Sequence, residues 1–278
     1  MKKILFPTDF SPAAENAFAY ALHLATHLEA DIHLLHCYDV AGAEHALLPA
    51  ELWNALRTAE EAQALEVVRR YEAQVQARTG TRITIVPILR VGFAAEVIRE
   101  TALSLMPDMV VMGTKGASDR LDALIGSITS QVAQGLPVPL LAVPAYARFD
   151  GIRRMIYATD LLQKDAAVSA RLGALAHILG TALDCVHVVS DASQVPSFAE
   201  SAYLRSMYQA DTQVDELELY VIHAEHVWDG LADHLALKPA ELVAVAAPQH
   251  GFVERVFHHS VTRELTLYAE VPVLVFPV

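Results

Sequence analysis

The chain has 278 residues, 54% of them hydrophobic and 19% charged, with a formal net charge of -13. At about 150 residues per domain this length predicts two domains, and the acidic balance, which repels phosphodiester backbones, excludes nucleic acid as a partner. No run of about 18 apolar residues is available to span a bilayer, and the apolar run behind the lysines of "MKKILFPTDF" is too short for a signal peptide, so a soluble, cytoplasmic protein without a membrane partner is expected.

In chain order, "KILFP" reads as a buried strand. Ser11 and Pro12 then supply an N-cap and a proline at the first helical position for "AAENAFAYALHLATHL". "DIHLLHCY" is a second strand, and a long alanine-rich helix covers about 51–78. Strand "RITIVPIL", helix "FAAEVIRETALSL", strand "DMVVMG", a glycine-bearing loop, helix "SITSQVAQGL" and strand "PLLAVP" complete the first half. Near-continuous apolar strands alternating with helices predict an α/β fold, a doubly wound, Rossmann-like parallel sheet. Cys37 and Cys185 lie in strand-like apolar runs and read as buried reduced thiols.

The second half repeats the first. "KKILFPTDFSPAAENAFAYALHLATHLEADIHLLHCY" from Lys2 aligns without gaps on "RRMIYATDLLQKDAAVSARLGALAHILGTALDCVHVV" from Arg153, so that Thr8-Asp9 meets Thr159-Asp160 and His36 meets His187. "VPLLAVPA" closes one half and "VPVLVFPV" the other. This predicts two tandem five-stranded domains, 1–147 and 152–278, joined by "YARFDGI" with a boundary near Asp150.

The loop "GTKGASDRLDALIGS", 113–127, leaves the carboxyl end of a strand, where sheets of this class bind ligands. A polyphosphate needs backbone N–H donors at close range, and glycines followed by a helix start supply them. The residues alone leave two readings open, a phosphate cradle or a surface connection whose glycines end a strand and cap a helix. No G-x-x-x-x-G-K-[ST] or G-x-G-x-x-G is present, so neither a P-loop NTPase nor a dinucleotide dehydrogenase is supported.

The spacing Gly113-x2-Gly116-x9-Gly126-Ser127, preceded by "VVM" and followed by "ITSQVAQGLPVPLLAVP", resembles the nucleotide motif of the universal stress protein family in its ATP-binding branch, and "ILFPTDFS" is similar to that family's first strand with its terminal aspartate. The resemblance covers the chain as a tandem of two such domains, with an adenine nucleotide alpha hydrolase-like fold. It implies ATP as cofactor, with or without Mg, and assigns Pro7, Thr8, Asp9 and Val40 to the adenosine side, Met112 to the base or ribose, and Gly113, Gly116, Gly126, Ser127 and Ile128 to the phosphates. For Asp9 the alternative is a carboxylate that caps the helix beginning near Ser11. Lys115 and Arg120 lie within the loop as further cations. The closing strands could pair along an edge, either in a homodimer, as family members do, or internally.

The second half departs from the motif. Aligned on Ser260, the three glycine positions are held by Ala246, Gln249 and His259, and Pro248 removes an amide donor. ATP is therefore expected in the first half alone, with the second half supporting or sensing. No metal site is expected: His223 and His226, three apart in a strand, would point to opposite faces, and His250, His258 and His259 lack cysteine partners. The recurrence of His36 and His187 reads as a shared structural hydrogen bond. The expected function is a regulatory binding protein of the stress response with an unidentified protein partner. No catalytic residue is assigned. A slow ATPase or phosphotransferase, for which Asp119 and Asp122 are the local candidates, and a nucleotide-free scaffold are the alternatives.

Overall fold

A computed structural model describes residues 2–38, 50–79, 83–114, 127–161, 166–247 and 270–277. The chain forms two compact units, Met1–Val138 and Pro139–Val278.

The first unit contains strands β1 (Lys2–Thr8), β2 (Ala30–Tyr38), β3 (Ile85–Val91) and β4 (Met109–Gly113), and helices α1 (Pro12–Leu28), α2 (Ala50–Thr79), α3 (Ala94–Leu105) and α4 (Ser127–Ala133). The strands run parallel in the order β3-β2-β1-β4. All but the first two residues of β1 are buried, as expected of a strand covered on both faces. Helix α1 starts where Ser11 Oγ accepts the Ala14 amide at 3.3 Å and Pro12 fixes the first helical φ. With the right-handed crossovers that parallel sheets favour, this strand order carries α1 and α2 to one face and α3 and α4 to the other. On the first face, Phe18 of α1 and Tyr71 of α2 stack at 3.6 Å with Phe6 of β1 edge-on, forming an aromatic core.

The second unit repeats this plan. It contains β5 (Leu140–Val143), β6 (Arg154–Ala158), β7 (Ala182–Val189), β8 (Leu217–His223), β9 (Leu242–Ala247) and β10 (Val273–Pro277), with α5 (Ala166–Leu179), α6 (Phe198–Thr212) and α7 (Val227–Leu237). Strands β8-β7-β6-β9-β10 are parallel, the order of the first copy, and β5 adds antiparallel to β10 through Val273↔Ala142 and Leu274↔Leu141. The edge pairing of the two closing strands is thus made within the chain, and the last strand of the first repeat is built into the second unit.

Helix α6 has 15 residues against 30 for α2. It lies close on α5: a Cβ on Gly173 would fall 2.1 Å from the Thr212 carbonyl oxygen, so only glycine permits this approach. Among the described residues no helix is long and apolar enough to cross a membrane.

Candidate functional site

In the order β3-β2-β1-β4 successive strands are added on one side of β1 as far as β3 and then on its other side as β4, so the carboxyl ends of the parallel strands β1 and β4 border the crevice where doubly wound sheets hold ligands. Ile4 pairs with Met109 and Leu5 with Val110, and from there both strands run in the same direction to their carboxyl ends at Thr8 and Gly113. The structure therefore brings Pro7, Thr8, Asp9, Met112 and Gly113 to one end of the sheet. Ser127 and Ile128 open α4, and the Ile128 side chain is exposed. Val40, Gly116 and Gly126, and with them Lys115, Asp119, Arg120 and Asp122, lie outside the described residues.

The turn after β1 is locally determined. Thr8 Oγ1 accepts the Phe10 amide at 3.0 Å and Asp9 Oδ1 accepts the Ser11 amide at 3.0 Å, an Asx turn that leads into α1. Phe10 takes the left-handed region at φ 61°. Thr8 is buried and Asp9 exposed. One carboxylate oxygen of Asp9 thus does local structural work while the group remains open to solvent at the strand end. Pro7 and Met112 are buried and form the floor beneath it.

Gly113 has a packing role that its place in the motif did not reveal. A Cβ there would stand 3.0 Å from the Ala13 carbonyl oxygen, in the first turn of α1. Its own carbonyl accepts the Thr129 hydroxyl of α4 at 3.1 Å, tying together the two ends of the glycine loop. Thr129 is buried, and nothing in the motif singled it out.

The imidazole of His36 adjoins this end of the sheet. Its Nδ1 donates to the Thr8 carbonyl at 2.8 Å, its Nε2 lies 3.3 Å from Glu60 Oε2 of α2, and its ring stacks on Phe10 at 4.3 Å. A cleft of about 520 Å³ opens next to Phe10, lined also by Glu15, Gln63, Glu66, Val67 and Arg70. It follows the seam between α1 and α2, where Arg70 pairs with Glu15.

The second unit repeats the turn. Leu161 takes φ 58° and donates its amide to Thr159 Oγ1 at 3.0 Å, and His187 Nδ1 donates to the Thr159 carbonyl at 2.8 Å. The recurring histidine is a shared structural hydrogen bond. Here, however, the Tyr208 hydroxyl of α6 bonds Thr159 Oγ1 at 2.7 Å, so a buried phenol closes over the strand end. Ala246 stands in β9, and Pro248, Gln249, His250, His258, His259 and Ser260 lie outside the described residues. Strand β8 ends at His223 and His226 caps α7, which separates these two histidines by a change of element. Among the described residues no three His, Cys, Asp or Glu side chains are arranged to hold a metal ion.

At the opposite, amino end of the second sheet lies a cluster that the sequence reading missed. Asp184 of β7 is fully buried and binds Arg154 Nη1 at 2.8 Å and Lys238 Nζ at 3.1 Å, with His234 Nε2 at 3.4 Å. Burial lowers the His234 pKa in spite of the Asp184 carboxylate, so the imidazole donates to the aspartate as a neutral group. The available signal was an acid inside an otherwise apolar strand.

The fold and the crevice define an α/β protein built from two copies of one doubly wound unit. The universal stress protein family model matches residues 1–144 and again 151–277, and the chain belongs to that family. Two universal stress proteins of Methanocaldococcus jannaschii are 29% and 30% identical to it over 146 and 159 residues; each alignment covers 51% of this chain, and 81% and 94% of the relatives. The crystal structure of a universal stress protein from Archaeoglobus fulgidus covers 99% of this chain and 96% of its own at a TM-score of 0.72 and 18% identity, a likeness of fold.

Proposed function

We propose that the chain is a regulatory, ATP-binding universal stress protein of the cytoplasm in which the first unit, over 1–147, holds the nucleotide and the second, over 152–278, does not. The observation that carries this reading is the sequence spacing Gly113-x2-Gly116-x9-Gly126-Ser127, whose first glycine ends the strand that borders the switch point, at the same end of the sheet as the exposed carboxylate of Asp9. The residues fit such a group. Asp9 offers an acceptor to ribose hydroxyls, Pro7, Thr8 and Met112 form the floor, and the loop amides, with the Ser127 hydroxyl, are donors for phosphate oxygens. Bound Mg would neutralise phosphate charge. Binding alters which protein partner the chain engages, and a homodimer is a further expectation of this reading.

The second unit supports the first without a nucleotide of its own, since its glycine positions carry side chains and Tyr208 covers Thr159. The test is to purify the full chain from cells, denature it and chromatograph what is released. Retained ATP supports the proposal. ADP accompanied by turnover points to a slow ATPase, and an empty protein that also fails to bind added ATP removes the nucleotide reading in favour of a scaffold.

A further inference from the structure

Helix α6 is apolar on two opposite sides. One side seats it: Tyr208 bonds Thr159, and Thr212 lies against Gly173. On the other, Ala199, Ala202, Tyr203, Ser206, Met207 and Ala210 recur at intervals of three and four residues and so share a single face. All six are exposed, Tyr203 by 65% and Met207 by 45%, and Phe198 extends the stripe at the helix start with 92% of its surface open. The Ser206 hydroxyl donates back to the Tyr203 carbonyl at 2.7 Å, so it brings no unsatisfied donor into this face. Of the flanking charges, Glu200 is held in its capping box with Ser197 and Arg205 pairs with Glu218 of β8 at 3.4 Å.

The duplication supplies a control. Helix α2 takes the equivalent place in the first unit, and its exposed positions include Arg57, Glu66, Arg69 and Glu72, with Leu65 the only large hydrophobic that its described residues expose. A helix in this place therefore needs no apolar outer face in order to fold. The second face of α6 is peculiar to the second unit, and an exposed apolar patch with a polar rim marks a contact.

Its pattern fits a second copy of itself. When another α6 is laid antiparallel on the first, about a two-fold axis at the level midway between Tyr203 and Ser206, Tyr203 comes level with the second copy's Ser206 and Met207 with its Ala202. Large side chains thus meet small ones, the alanines at 199 and 210 let the two backbones approach, and the axis makes each contact twice. Phe198, Tyr203, Met207 and the alanines together present roughly 500 Å² per copy, so a pair would bury about 1,000 Å², the size at which specific interfaces begin. An anionic lipid surface would instead be repelled by the net charge of -13.

We propose that α6 is the self-association surface of this chain, two copies pairing antiparallel through the face from Ala199 to Ala210 to form a two-fold dimer. The contact uses no residue of the first unit and is independent of the nucleotide reading.

Analytical ultracentrifugation of the full chain tests it. An interface of this size holds in the micromolar range, so the wild type should sediment as a dimer at about 100 μM and dissociate on dilution. Tyr203→Glu and, separately, Met207→Glu place a charge in the face and should weaken pairing by about a hundredfold or more. Their urea midpoints at low concentration should equal that of the wild type, because both side chains are exposed in the single chain. The register is read from a mixture of Ala202→Cys and Met207→Cys chains, which should oxidise to a covalent dimer faster than either variant alone. A wild type that stays monomeric at about 100 μM overturns the proposal, as does a dimer whose affinity neither glutamate changes. A mixture that cross-links no faster than its separate components overturns the antiparallel pairing.

Discussion

Gly113 lies against the Ala13 carbonyl so closely that a Cβ would come within 3.0 Å of it. The first glycine of the motif is therefore a contact between β4 and α1 before it is anything else. Gly113→Val is expected to destabilise the nucleotide-free first unit by about 1–3 kcal/mol, so its loss of ATP would not by itself report on phosphate contact. A Gly116→Val variant whose urea midpoint matches wild type separates the two effects, and it should abolish retention. Equal midpoints for wild type and G113V would refute the packing role.

Asp184 is expected to be the most sensitive polar position of the second unit. Replacing it by alanine leaves the Arg154 and Lys238 charges without a carboxylate to balance them, Lys238 keeping only its bond to the Tyr220 hydroxyl, at a cost of about 3 kcal/mol, the low end for a broken buried ion pair because both cations reach solvent. Urea unfolding measures this directly. A loss below about 1 kcal/mol would mean that the cluster is not a buried network.

Acid should weaken the fold partly through His23. Burial, and then the neighbouring His27, lowers its pKa from 6.5 to about 4. Between these values the unfolded chain takes up a proton that the native chain refuses, so this stabilisation is complete above pH 6.5 and disappears as pH falls towards 4. In a series of urea melts from pH 7 to 4, His23→Gln should show a shallower decline than wild type. Parallel declines would exclude His23 as a contributor.

Neither cysteine should behave as a redox sensor. Burial raises the Cys37 thiol to about 11, and Cys185 is fully enclosed. Native protein at pH 8 is expected to react with Ellman's reagent over hours, and both thiols at once in denaturant. Labelling of the folded chain within a minute would contradict this.

What could be read from the sequence was what short stretches determine by themselves. The Ser11-Pro12 start of α1 follows from cap chemistry that acts over four residues, and the repeat is carried by a constant offset between Thr8-Asp9 and Thr159-Asp160. Interactions assembled from distant elements were not readable. Glu60 meets His36 only because α2 crosses the end of β2, and the partners of Asp184 come from β6 and α7. The packing role of Gly113 stayed hidden for the same reason, since Ala13 lies a hundred residues earlier in the chain. The direction of β5 against β10 was equally silent, because an apolar strand of four residues suits either sense of pairing.

The partnership of β5 with β10 bears on how the chain is made. Leu140–Val143 emerges from the ribosome well before Val273–Pro277 exists, so a newly synthesised amino-terminal half carries an apolar strand whose antiparallel neighbour is translated long after it. Nascent chains must shield that edge throughout the second half of translation. A version truncated before β10 is expected to clump through the uncovered edge of β5, and one begun after β5 to do so through the edge of β10.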